Sequence, residues 1–469
     1  MMHTRGHPSI PNRARGHVTV AGAEIVHYST DQRGRAGAFV AGQLAALLGA
    51  AASAILHPIV VLPALIAALT DDWYLIALPV VLAGLMWPIG AGLAMTRAGR
   101  ERPNLWALGG NVIRLAMVVV LAIVIDRSAD SDTDALVRAL LVCFAFFALG
   151  SAMVGRSETS VATLSVSPRR RPGFFRSRLL WSSLSAIAIS LVAAGLLGGE
   201  EISLPDRFAV LFVVAAAFLT AALFFQSTLR LPSFGRRGGH GNQPTTLAAR
   251  PVLGWVSFRI LLALAALADP FLIVYALTVL DASATVIGLA VAAIVAGRLL
   301  THPLWVRISG RGRTRAGLQG VALIRILIPA LALTLPYLFD SSAWTDRVTD
   351  PDVRGWVFLV VFLLIGIAQG GQSVLAARYT ADLSGRFGAG VWPLSNTVVA
   401  LAAVASLGGA WILTRWGFEE TFLAAGGAGL LAILLSGVLV ATSGAPVRRS
   451  GSFSLRRPQA VVPLTARRN

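Results

Sequence analysis

The stretch "AGRERPNLWALGGNVIRL" (98–115) has a counterpart further along the chain, "SGRGRTRAGLQGVALIRI" (309–326). At a constant offset of 211, Gly99 falls on Gly310, Arg100 on Arg311, Arg102 on Arg313, Gly109 on Gly320, Ile113 on Ile324 and Arg114 on Arg325. Each copy starts as an arginine-rich turn and runs into a long apolar segment, the first being "GGNVIRLAMVVVLAIVI" (109–125). The match continues upstream. "LTDDWYLIAL" (69–78) lies over "LDASATVIGL" (280–289), and "ILHPIVVLP" (55–63) answers "LADPFLIVY" (267–275) at an offset of 212. An equivalence that holds over three successive apolar segments predicts two like halves in the same orientation, a parallel duplication.

The composition says what the halves are made of. Of 469 residues 56% are hydrophobic and 13% charged, against about 25% charged in a soluble domain. Mean hydropathy is +0.72. The chain reads as an all-α polytopic membrane protein. A crossing needs about 20 apolar residues. Twelve segments qualify: 37–69, 73–96, 105–126, 133–155, 178–198 and 206–229, then 253–280, 284–306, 317–339, 355–377, 389–414 and 420–442. Between the sixth and seventh lies "LPSFGRRGGHGNQPTTLAARP" (231–251), whose Gly, Pro and polar residues predict a linker. The organisation expected is a basic tail (1–36), a six-helix half (37–229), a linker (230–252), a second six-helix half (253–442) and a second basic tail (443–469).

Charge tests this count. With the N-terminus in the cytoplasm, thirty of the forty arginines fall in the tails, the linker and the cytoplasmic turns. Four lie within spans: Arg114, Arg259, Arg298 and Arg325. Acids gather on the other side, as in "TDD" (70–72), "DRSADSDTD" (126–134) and "GGEEISLPD" (198–206). This is the positive-inside pattern. It accounts for the net charge of +18 through anionic lipid at the cytoplasmic face, not through nucleic acid. Cys143 is the only cysteine, so no disulfide forms within the chain. The N-terminal twenty residues have no apolar core after their charges and are expected to form a tail, not a cleaved signal.

The segment "GLAMTRAGRER" (92–102), between spans 2 and 3, resembles the major facilitator superfamily loop of the form G-x-L-A-D-R-x-G-R-R. Gly92, Arg97, Gly99, Arg100 and Arg102 stand near that pattern, and Thr96 takes the place of its Asp. "PLWVRISGRGRTR" (303–315) looks like a weaker copy. Further segments, such as "GIAQGGQSVLAARYTADLSGRFG" (366–388), are similar to a subgroup of bacterial permeases. The resemblance covers 37–442. It implies two six-helix bundles that rock around a midplane site, with spans 1, 4, 7 and 10 lining the cavity and spans 3, 6, 9 and 12 further out. It also implies a charge latch at the loop motif, which Thr96 builds differently for want of a carboxylate.

That ranking selects residues. Asp269 in span 7 is the only acid well inside a span, followed by Pro270; the equivalent place in span 1 is His57–Pro58. A carboxylate and an imidazole there suit a proton or a cationic group. Gln369 and Gln372 in span 10 and Asn396 in span 11 are further polar candidates, and Pro393 is expected to mark a bend. Arg156 and Glu158 at the end of span 4, with Arg378 and Asp382 at the end of span 10, suggest an inward gate of salt bridges. Arg298 and His302 in span 8 are expected to reach the cytoplasmic interface, and Arg114 and Arg325 to brace each bundle.

No catalytic residue, metal cluster, cofactor motif or nucleotide-binding loop appears in the sequence. The expectation is a monomeric secondary transporter of a small molecule in the inner membrane of a bacterium. An ion gradient, with protons the first choice, or a substrate gradient drives it, and export is preferred to uptake. Two rivals are a non-transporting scaffold or sensor on the same fold, and an intramembrane lipid-modifying enzyme.

Overall fold

Pro103 opens one long helix, and Thr314, 211 residues later, opens its counterpart. The computed structural model describes residues 32–126, 133–166, 170–199, 203–229, 250–339, 351–387 and 390–440. The tail 443–469 and almost all of the linker 230–252 lie outside them, as do residues 1–31 of the first tail. No strand occurs among the described residues.

In the first half the helices are α1 (Gln32–Ile55), α2 (Val61–Ala67), α3 (Trp73–Ala94), α4 (Arg97–Glu101), α5 (Pro103–Asp126), α6 (Thr133–Ser165), α7 (Arg171–Gly198) and α8 (Leu204–Ser227). The second half has α9 (Arg250–Leu264), a 3-10 turn (Asp269–Phe271), α10 (Leu272–Thr278), α11 (Thr285–Gly310), α12 (Thr314–Phe339), α13 (Pro351–Phe387), α14 (Val391–Ala403), α15 (Ala405–Trp416) and α16 (Phe418–Leu439). Ten stretches are long and apolar enough to cross a membrane, α9 to α10 counting as one. The pairs α1–α2 and α14–α15 supply two more crossings, giving the expected twelve.

Three crossings that the sequence presents as continuous are interrupted. In the first, Pro58 has no N–H to continue the helix, and the His57 carbonyl instead accepts from Val60, Val61 and Leu62 (3.4, 3.1 and 3.3 Å). In the seventh, Pro270 sits in the 3-10 turn between α9 and α10. The two second pieces, starting at Val61 and Leu272, keep the offset of 211. In the eleventh the break comes at Val404, not at Pro393. Pro393 lies in the first turn of α14, where a missing N–H has no helical partner to lose.

Packing repeats with the sequence. In the first half α5 packs on α6 and α8, α3 on α6, and α1 on α7 and α8. In the second half α12 packs on α13 and α16, α11 on α13, and α9 on α14 and α16. Each contact has its counterpart in the other half. The halves join through two symmetric seams, α7 with α11 and α3 with α14–α15.

The arginine-bearing turns 95–102 and 311–313 mark a basic end, and the turn with Asp71 and Asp72 an acidic end. The largest apolar core draws on both halves and gathers towards the acidic end, with Leu62, Leu65, Phe144, Phe212, Phe271 and Phe422 among its members. A second core around Trp255, Trp305 and Tyr379 belongs to the second half alone.

Candidate functional site

The acidic end is sealed. A side chain on Gly288 of α11 would strike Ser190 O and Ala194 N of α7 at 2.4 and 2.3 Å, so glycine permits this approach. Val291 sits with Ala54, Ile55 and Val61 of the first half around a small void. Trp73, opening α3, meets Phe271 and Phe418 edge-on at 6.3 and 5.5 Å.

Two turns further along α11, on the same face as Val291, stands Arg298, and it is exposed. Arg298 lies thirteen residues from Thr285 and twelve from Gly310. At 1.5 Å per residue that is about 18–20 Å from either end. This corrects the expectation that it reaches the interface. The helix runs four residues beyond the expected span and carries Pro303 inside it. The helix face that is buried at Val291 is thus exposed at Arg298.

Around Arg298 are polar groups from both halves. Its guanidinium acts electrostatically on His57 in the α1–α2 break and on His302 one turn along. His57 Nδ1 is buried without a hydrogen-bond partner. Gly370 of α13 packs against the Arg298 backbone and Cγ. On either side of it Gln369 and Gln372 are half-buried, with no hydrogen bond among the described residues. Elsewhere in the second half, Arg259 on α9 lies over the Trp255 ring at 5.4 Å, and its Nε is buried without a partner. Asn396 is half-buried on α14, also without a hydrogen bond among the described residues.

Asp269 stands apart from this group. It is buried, and Arg325 Nη1 donates to both its oxygens at 2.9 and 2.7 Å. Arg114, the equivalent arginine, finds no acid. Its Nη2 donates to Gly49 O (2.9 Å) and Ser53 Oγ (2.8 Å), its Nη1 to Asn111 Oδ1 (3.0 Å), and its guanidinium lies 5.1 Å from the Phe147 ring centre. Each arginine thus ties its own half: α5 to α1, and α12 to the seventh crossing.

At the basic end three of the four gate candidates pair within their halves. Glu158 is ion-paired with Arg178 of α7, and Arg378 with Asp382 one turn along α13 at 3.7 Å. Arg156 is exposed. The helices α6 and α13 that carry them do not pack along one another among the described residues. In the loop motif, Thr96 caps α4: its Oγ1 accepts from Gly99 N (3.4 Å) and donates to Leu93 O (2.8 Å). A side chain at Gly99 would meet Ala94 O at 2.3 Å, while Gly92 has open space around it. The side chains of Arg97 and Arg100 lie outside the described residues.

Sequence reading thus named His57, Gln369 and Gln372 but gave the mid-helix Arg298 only a place at the interface. The missed signal was depth: a charge at the centre of a 26-residue helix is beyond the reach of snorkelling.

No family model and no curated protein matches the chain. Solved structures do. A bacterial homologue of the iron transporter ferroportin in an inward-facing state matches with a TM-score of 0.59 at 16% identity, over 88% of this chain and 100% of that one. The xylose transporter XylE from E. coli, partially occluded and inward-open, matches with 0.59 at 14% identity, over 88% and 99%. A peptide transporter in complex with sulfate matches with 0.59 at 15%, over 87% and 94%. At such identities the likeness concerns the fold. Twelve crossings in two like halves, joined by symmetric seams, carry it: this chain has the fold of the major facilitator superfamily.

Proposed function

We propose that this multi-pass membrane protein is a secondary transporter working by alternating access, with its substrate space between the halves near Arg298. One observation carries the reading. A single apolar core joins the halves at the acidic end, whereas at mid-span the same helix face becomes exposed and carries a charge. With the basic end cytoplasmic, as the arginine distribution indicates, this is the inward-open state. The substrate is a small molecule, and a proton or substrate gradient drives the cycle. Arg114 and the Arg325–Asp269 pair keep each half rigid as it rocks. The gate residues exchange partners across the halves when the basic end closes.

The test is a distance measurement. Thr159→Cys on α6 and Ala381→Cys on α13, in a Cys143→Ala background, place spin labels on exposed positions at the basic end of each half. Double electron–electron resonance in lipid is expected to show a long and a short population. A single population, unmoved by lipid, pH or solute, would instead support the scaffold reading.

A further inference from the structure

We infer that the site between the halves binds a small organic anion, held through a carboxylate or phosphate group by Arg298, with His57 and His302 beside it. The inference rests on the transporter reading and adds the substrate class to it.

The charge inventory of the interior leads there. Among the described residues Asp269 is the only carboxylate in the middle of a crossing, and Arg325 already occupies both its oxygens. No carboxylate is left to receive a cation in the cavity. No group of three metal-ligating side chains gathers among the described residues either. The positive groups are left over. Arg298 and Arg259 have no ion pair among the described residues. Arg114, by contrast, places both terminal nitrogens on neutral acceptors of its own half, with only Nε unpartnered.

Position separates Arg298 from the other arginines. It is at the midpoint of α11, faces the first half and is exposed where the seam opens. A guanidinium presents a planar fork of donors that fits the two oxygens of a carboxylate or phosphate. His57 comes from the broken helix of the opposite half, with a ring nitrogen that has no partner. An anion seated between Arg298 and His57 would touch both halves at once. Such bridging is what a carrier needs if its substrate is to favour passage between states.

The test is thermal unfolding of the purified full-length protein in detergent, at constant ionic strength set with sodium chloride. Succinate and inorganic phosphate are the anionic probes; xylose and tetraethylammonium are the neutral and cationic ones. Saturating anion is expected to raise the midpoint by about 2–4 °C. Arg298→Gln should abolish that shift, and Arg298→Lys, which keeps the charge but loses the fork, should weaken binding about tenfold. Arg307→Gln, an exposed position on the same helix, should leave it intact. Arg298→Gln should also unfold at a higher temperature than wild type without ligand, which shows that loss of the shift is not loss of fold. The inference is overturned if the anions act no differently from chloride, if the shift survives Arg298→Gln, or if the cation alone stabilises. In each of those cases two spin-label populations would still uphold the transporter reading, and a single one would remove it.

Discussion

Arg325 and Asp269 form the one ion pair buried at mid-span among the described residues, with one guanidinium nitrogen 2.9 and 2.7 Å from the two carboxylate oxygens. Their side chains are 4% and 6% exposed. The pair ties α12 to the turn where the seventh crossing breaks. Removing one partner strands the other charge in a water-poor interior. Asp269→Asn or Arg325→Leu alone should therefore lower stability by about 3–5 kcal/mol. The double variant Asp269→Asn/Arg325→Leu should recover most of it. Thermal unfolding of all four forms, combined in a double-mutant cycle, measures the coupling. Additive losses would show that the pair is not the source of the stability.

Arg114 should respond differently. It has neutral acceptors, and Ser53 Oγ already donates to Gly49 O at 2.8 Å. Taking the arginine away leaves Gly49 O satisfied and no charge stranded. Arg114→Met is expected to cost about 1–2 kcal/mol, less than Arg325→Leu. Folded yield and thermal midpoint of the two variants provide the comparison. An equal or larger loss at Arg114 would contradict the neutral-cage reading.

The gate is expected to respond to charge. Glu158 is held by Arg178 within its own half while the basic end is open. Arg178→Gln should release Glu158 for a partner across the halves and shift the spin-label populations towards the closed basic end. A partly buried pair is worth about 1 kcal/mol, so the shift should be roughly fivefold. An unchanged distribution would make the pair incidental to gating.

Thr96 stands where the family loop has Asp, and it caps α4 through Gly99 N. Both residue types cap well, so Thr96→Asp should keep the turn while restoring a charge at the gate. Thr96→Ala should lose about 0.5–1 kcal/mol of local stability. Hydrogen exchange over residues 96–102 separates the two. Gly99→Ala, which brings a Cβ to within 2.3 Å of Ala94 O, should reduce folded yield outright.

The fold was legible because apolar length and arginine placement are written along the chain. The Arg114–Arg325 repeat foretold matching packing in both halves. Pro58 and Pro270 were visible, yet whether a proline bends a helix or divides it depends on what accepts the displaced N–H groups; at His57 that is one carbonyl shared by three donors. The partners of Asp269 and Arg298 were not legible. Both choices turn on the register between helices: a few residues of offset put Asp269 against Arg325 and left Arg298 facing the open seam.

The two ends of the molecule must be sealed by different materials. Leu62, Leu65, Phe271 and Phe422 close the acidic end with apolar surface, whereas the basic end offers Glu158, Arg178, Arg378 and Asp382. Salting-out ions such as sulfate strengthen the first kind of seal, and simple ionic strength screens the second. Salt is thus a dial on this machine. Raising it should hold the molecule in the state described here, and lowering it should let the opposite state appear.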